Sequence, residues 1–397
     1  MLSNVFNMPT NDEWKIRRKI LSKPFGNAVI KNQNQVDILQ SIINKLIEVL
    51  HEYEKSGEAL DIDELFGQLT VDVICEIGFE FSIGALDGST AYHDMKDNLR
   101  VMFENTWLNL IPFSSYLWDM NVDAFRKLSK MRASQLALWR KVLDNAIEKD
   151  SKGLLRPDSL AKHLVTLSKE EGITDDDVLG EIAVLFIAGH ETTAHTLSFF
   201  IHAICKHQEI QALNRIAVIE AMSKEDYVPG VLPPIVDATL KESMRMTPVA
   251  PNGLTLYSCY TYIAIKDIPF IHHSFLIHIH TTTHPSIYIS YVEGSMREVT
   301  QKKGVQLTDD IYLPRGTWIQ VPLFALHNYS KNWQLPSPLE FHPSRWLRKA
   351  DVETKDDSAI DEIDDDTKKE QALYLEDNVT SIGSYVGWGP TQVSTSS

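Results

Sequence analysis

The sequence predicts a mainly α chain with a small β part, and three observations carry that expectation. Between residues 12 and 256, apolar side chains recur at the three-and-four spacing of a helix face in segment after segment. Strand signals, short apolar runs closed by Pro and Gly, gather after Arg297. At 397 residues and 43% hydrophobic content, the chain can bury a sizeable core.

Taken in order, Trp14 to Arg18 belongs to a first amphipathic turn. Ile38, Leu39, Ile42, Ile43, Leu46, Ile47 and Leu50 then fall on one helical stripe, which the spacing predicts to be buried. Asp61 to Ile77 repeats the pattern behind an acidic first turn, and Asp123 to Ala146 is a further amphipathic run. Thr174 is a good N-cap, and Asp175, Asp176 and Asp177 suit the positive first turn of a helix running to about Cys205. Leu232-Pro233-Pro234 opens another helix, which carries Glu242 and Arg245 and stops before Pro248. Ile311 to Leu313 reads as a strand before the Pro314-Arg315-Gly316 turn, and Thr317 to Pro322 as a second short strand.

Two stretches differ in texture. Between Tyr257 and Val292 only Lys266 and Asp267 are charged, while five histidines and five tyrosines crowd together. Between Asp351 and Glu370 ten acids and three bases carry −7 of the chain's net charge of −16, as a solvated loop does. The expected organisation is a helical part at 1–256, an atypical insertion at 257–296, a strand-turn segment at 297–346 and an acidic tail region at 347–397. The acidic balance offers no basic stripe for phosphates, which excludes nucleic acid as a partner. Cys75, Cys205 and Cys259 are too few and too far apart for a disulfide framework or a CxxC metal site. No apolar run reaches the roughly 18 residues of a spanning helix, and Met1 to Asn11 reads as neither signal peptide nor anchor.

Chemistry concentrates in Ala188-Gly189-His190-Glu191-Thr192-Thr193, set inside an apolar stretch from Ile182 to Ile204. A buried carboxylate costs several kcal/mol unless compensated, so acid and hydroxyl at such a place are held for chemistry or for an internal bond. Gly189 beside the threonines can let the helix open around a water; alternatively Glu191 faces solvent and Thr192 bonds back to a carbonyl. His190 and His195 do not make a zinc-peptidase pair, because five residues put them about 140° apart on a helix. Glu242 and Arg245, three apart, form either an exposed pair or, with Arg345 from Phe341-His342-Pro343-Ser344-Arg345-Trp346, a Glu-Arg-Arg network. Trp14 and Arg18 share a helix face that either binds an anion or is simply amphipathic. His278 and His280 share a strand face, but only Asp267 lies near enough in sequence to join them on a metal, and biased composition accounts for them without one; no metal site is expected.

Read in order, these pieces resemble the cytochrome P-450 monooxygenases. That family has a W-x-x-x-R helix, an A-G-x-D/E-T-T helix, E-x-x-R, P-x-R-F/W and a cysteine loop. The matches are Trp14 with Arg18, Ala188 to Thr193, Glu242 with Arg245, and Pro343 with Arg345 and Trp346. The resemblance covers roughly Asp12 to Thr255 and Arg297 to Trp346. It implies that Glu191 and Thr192 support proton delivery to iron-bound dioxygen, and that Ala188 and Gly189 line the groove over haem b. It implies further that Trp14 and Arg18 contact a haem propionate, while Glu242, Arg245 and Arg345 lock the core beneath. Implied partners are a small apolar substrate, dioxygen and an NADPH-dependent reductase. Family members are often anchored in the endoplasmic reticulum membrane; no anchor is expected in this sequence.

The family's F-x-x-G-x-R-x-C-x-G loop is matched poorly. With Gly389 as its glycine, Thr391 stands at the arginine position and Val393 at the cysteine position. Together with the insertion, read as a translated intron, this gives the alternative of a truncated, catalytically dead fragment or gene-model product that holds no haem through a thiolate. A third reading is a helical binding module that kept the scaffold without the iron site.

Overall fold

The computed structural model describes residues 3–8, 11–30, 32–104, 123–228, 230–249, 296–299, 302–308, 311–320, 323–328, 333 and 336–347. The insertion up to residue 295, His278 and His280, the acidic segment and the poorly matched loop lie outside them. Helices dominate: α1 (Asp12–Leu21), α2 (Asn27–Ile30), α3 (Gln33–Ser56), α4 (Ile62–Val73), α5 (Thr90–Glu104), α6 (Asp123–Ser151), α7 (Leu160–Leu167), α8 (Asp175–Lys206), α9 (Gln208–Met222), α10 (Pro234–Met246) and α11 (Leu323–Asn328). Strands β1 (Met296–Glu298) and β4 (Trp318–Gln320) pair antiparallel, as do β2 (Val305–Thr308) and β3 (Ile311–Leu313). Gly304, at φ 69°, is required there: a Cβ would stand 2.5 Å from the Leu313 carbonyl oxygen.

Polar residues set the helix starts. The Asn11 side chain accepts from Trp14 N–H at 2.8 Å, and Asp61 caps α4 through the N–H groups of Asp63 and Glu64. Thr174 and Asp177 cap each other: the Thr174 oxygen accepts from Asp177 N–H at 3.2 Å and the Asp177 carboxylate from Thr174 N–H at 2.9 Å.

The chain divides into two compact units, the first break falling after His195, within the stretch expected as one helical part. In the first unit, Val71, Cys75, Phe79, Trp139, Leu143, Leu164, Val178, Ile182 and Phe186 form one buried core. Each such side chain contributes about 1.5–3 kcal/mol by leaving water. Trp139 and Phe186 pack ring to ring, centroids 4.6 Å apart, and so tie α6 to α8. In the second unit α10 packs on α9, α11 and the 3₁₀ turn Pro343–Trp346.

One sequence expectation is corrected and one open alternative is decided. The α3 stripe is not buried as a whole: Ile42 is, but Leu39, Ile47 and Leu50 are exposed, because α3 packs chiefly on α4 and the turn after it. The helix does not open at Gly189 either. Its ladder is unbroken from Asp175 to Lys206, and the widened turn is a π-helix at Ile74–Phe79. That turn ends at Glu80, a non-glycine residue at φ 51°. The position is held from outside: the Glu80 carbonyl accepts from Lys149 Nζ at 2.6 Å, and its carboxylate from Arg156 N–H at 3.0 Å. No described helix is long and apolar enough to cross a membrane.

Candidate functional site

The α8 helix is fixed first at its N-terminal end. Arg17, on the apolar face of α1 with Ile20 and Leu21, is fully buried. Its guanidinium meets Asp177 at 2.8 Å, Glu181 at 3.2 Å and also Glu13. Glu181, likewise fully buried, accepts in addition from Val5 N–H at 3.2 Å. Burial pushes the Glu181 carboxyl up, against the pull of Val5 N–H and Arg17. Burial also opposes charge on Arg17 and Asp177, but their hydrogen bonds prevail, so Arg17 is held up and Asp177 down.

Midway along α8, Gly189 turns to the core. A Cβ there would stand 3.2 Å from Ile74 Cδ1, and one on Gly78 would meet the same atom at 3.2 Å. Ile74 is thus clasped between two glycines, which lets the π turn and α8 approach closely. Ala188 itself is exposed. Thr192, one turn on, donates its hydroxyl to the Ala188 carbonyl at 2.7 Å, and Thr193 to Gly189 at 3.0 Å. Both threonine hydroxyls of the motif are therefore turned back onto the α8 backbone.

Glu191, next to Thr192, is half-buried, and burial pushes its carboxyl up; His195 pulls it down and Asp63 up again. His195 Nδ1 lies 2.9 Å from Asp63 Oδ1 at the start of α4. That bond raises the His195 pKa, with burial opposing. His190 stacks on Phe186, and burial drops its pKa to about 4, which keeps it neutral.

The structure brings Glu242, Arg245 and Arg345 together in the second unit. The fully buried Glu242 carboxylate accepts from Arg245 Nε and Nη2 at 2.8 Å each, Arg345 Nε at 3.2 Å, His342 N–H at 2.9 Å and Trp346 Nε1 at 3.0 Å. Arg245 also donates to the carbonyls of His327, Pro338 and Glu340 and lies over the Trp333 ring. The exposed-pair alternative is thereby excluded. Trp14 and Arg18 sit differently from one another: the half-buried Trp14 donates its indole N–H to the Val5 carbonyl at 2.9 Å, and Arg18 is exposed.

Sequence reasoning passed over Arg17, Glu181, Asp63 and His195. A usable signal existed for the first two: a charge at the i position of an apolar i, i+3, i+4 face on α1, and acids at 177 and 181 around Val178 and Ile182 on α8. Among the described residues no cluster of three metal-type side chains occurs. Of the described cysteines, Cys75 is sealed in the core, where burial, then Asp72 and Glu76, push its thiol well up. Cys205, in the second unit, is exposed.

A family model described as cytochrome P450 matches residues 3–259 and 288–360. Cytochrome P450 3A11 of Mus musculus and 3A2 of Rattus norvegicus are each 24% identical over 362 residues, covering 88% of this chain. The chain spans 62% of the length of these curated relatives. A zebrafish cytochrome P450 solved with progesterone superposes with TM-score 0.59 at 19% identity, covering 87% of this chain and 69% of that one. The haem domain of cytochrome P450DA superposes with TM-score 0.59 at 18% identity, covering 87% and 64%.

Proposed function

This chain belongs to the cytochrome P450 family, and from that premise we propose that it is a haem-dependent monooxygenase, placing one atom of dioxygen in a small apolar substrate. Electrons come from an NADPH-dependent reductase. One observation carries the reading: a half-buried carboxyl, Glu191, sits next to Thr192, whose hydroxyl bonds back to the exposed Ala188. Haem b, when bound, supplies the binding and reduction of dioxygen. Thr192 gives its own proton to the Ala188 carbonyl, so toward a ligand its oxygen acts as an acceptor. It orients a water or a protonated group there. Glu191, held up by burial, keeps a proton nearer neutrality than an exposed acid does and passes it on. Ala188 gives close approach. Arg18, exposed on α1, offers a guanidinium fork to a propionate, while Trp14 steadies the turn at Val5. Glu242, Arg245 and Arg345 hold the segment ending at Trp346.

A second reading, the scaffold without thiolate ligation, is favoured by the burial of Cys75 and by Val393 at the loop's cysteine position. Haem titration of the full chain, followed by reduction under carbon monoxide, separates the two. A stoichiometric complex with the red-shifted Soret band of a thiolate ligand supports the monooxygenase. Haem uptake without that band, or none, supports the second reading.

A further inference from the structure

The mechanism just described leaves one cluster unused. Asp63 at the start of α4 holds His195, and His195 stands one turn beyond Glu191 on α8. Residues four apart on a helix have Cβ atoms about 6 Å apart. Exposure falls along this line: the Asp63 side chain is 54% exposed, His195 33%, and Glu191 half-buried. The order is a path from bulk water to a sheltered acid. We infer that His195, anchored by Asp63, loads the proton that Glu191 delivers, acting as a positioning residue for proton supply. This rests on the oxygen-handling role proposed for Glu191.

The step balances simply. The His195 imidazolium gives one proton to the Glu191 carboxylate, leaving a neutral imidazole and a carboxylic acid. Water then returns a proton to the ring, whose Nδ1 stays on Asp63. No oxidant or reductant is needed. The groups facing His195 all bear on its charge. Asp63 on α4 and Glu191 on α8 favour the imidazolium, and Lys96 on α5 opposes it. Lys96 is itself drawn to Glu64, and the neighbouring His190 is kept neutral. An ordinary histidine at this exposure titrates near 6.5. The anchored ring keeps its proton to higher pH than that, with burial opposing.

The test uses the full chain without haem. The His195 ring proton is followed by NMR across pH in the native chain, Asp63→Asn and Glu191→Gln. The native ring should titrate above 6.5 and carry a second, smaller inflection from the ionisation of Glu191. Asp63→Asn should bring the midpoint down, since the Asp63 bond is the largest cause of the raised value. Glu191→Gln should erase the second inflection and lower the midpoint. A His195 curve indifferent to Glu191→Gln would overturn the inference, because ring and carboxyl would then not share a proton path. A purely structural His195–Asp63 pair would respond to the first variant and not the second. Absence of turnover in haem-loaded protein would count against the monooxygenase reading alone, since the NMR curves are read without cofactor.

Discussion

Replacing Glu242 with alanine should cost about 3–5 kcal/mol, the range for breaking a buried ion pair from one side. The carboxylate receives five N–H groups and pairs with two guanidinium ions inside the second unit. In the variant Arg245 and Arg345 remain buried with their charges facing each other, and the Trp346 indole and His342 N–H lose their acceptor. A whole domain is held by only about 5–15 kcal/mol, so the loss removes a large share. Urea unfolding monitored by tryptophan fluorescence, to which Trp333 and Trp346 contribute, checks this. Limited proteolysis should also cut near residues 336–347 sooner. Glu242→Gln keeps one acceptor oxygen and should lose less. A midpoint unchanged by Glu242→Ala would mean that the five-donor arrangement does not exist in solution.

Arg17→Met should be the next most damaging change, at about 3 kcal/mol near pH 8, and the loss should shrink toward pH 5. The sign follows from the two carboxylates Arg17 faces. Glu181 has its folded pKa raised by burial. Its contribution to stability is therefore present at low pH and lost as pH rises through the folded value. Without Arg17 that value climbs further, and ionised Glu181 becomes more costly at alkaline pH. Asp177 has its folded pKa lowered, through Thr174 and Arg17 against burial. Its contribution is present above the unfolded value and lost only as pH falls below it, so at both pH 5 and pH 8 it is fully present. Glu181 therefore makes the gap between variant and native protein widen from pH 5 to pH 8, while Asp177 adds about equally at both. Urea midpoints at the two pH values measure it. Equal losses at both would show that Arg17 serves only to fill space.

Much of the helical layout is readable in the chain because capping residues and apolar periodicity agree locally. Thr174 with Asp177, and Pro233-Pro234 before Glu242, mark starts that coincide with helix ends in the structure. Where pattern misled, a tertiary contact decided. Periodicity cannot tell how much of a stripe a neighbour covers, so α3 looked fully buried when Ile42 alone of its apolar stripe is. Glycine beside threonine allows an opened helix or a close approach, and Ile74, 115 residues earlier, selects the approach at Gly189. The α8 motif and the Glu-Arg-Arg set were legible as residue types at fixed spacing. Asp63 and His195 were not, since each gains its meaning from the other across a long stretch of sequence, and the signal for Arg17, a charge on an apolar helix face, does not name its partner Glu181.

The decisive measurement is methyl NMR of the full chain as ferric haem is added. Paramagnetic iron lying against α8 should broaden the Ala188 and Thr192 methyl signals at one equivalent. Val178, about 15 Å nearer the helix start, should stay sharp. Sharp Ala188 and Thr192 signals in a haem-saturated chain would contradict the assignment of α8 as the oxygen-handling helix.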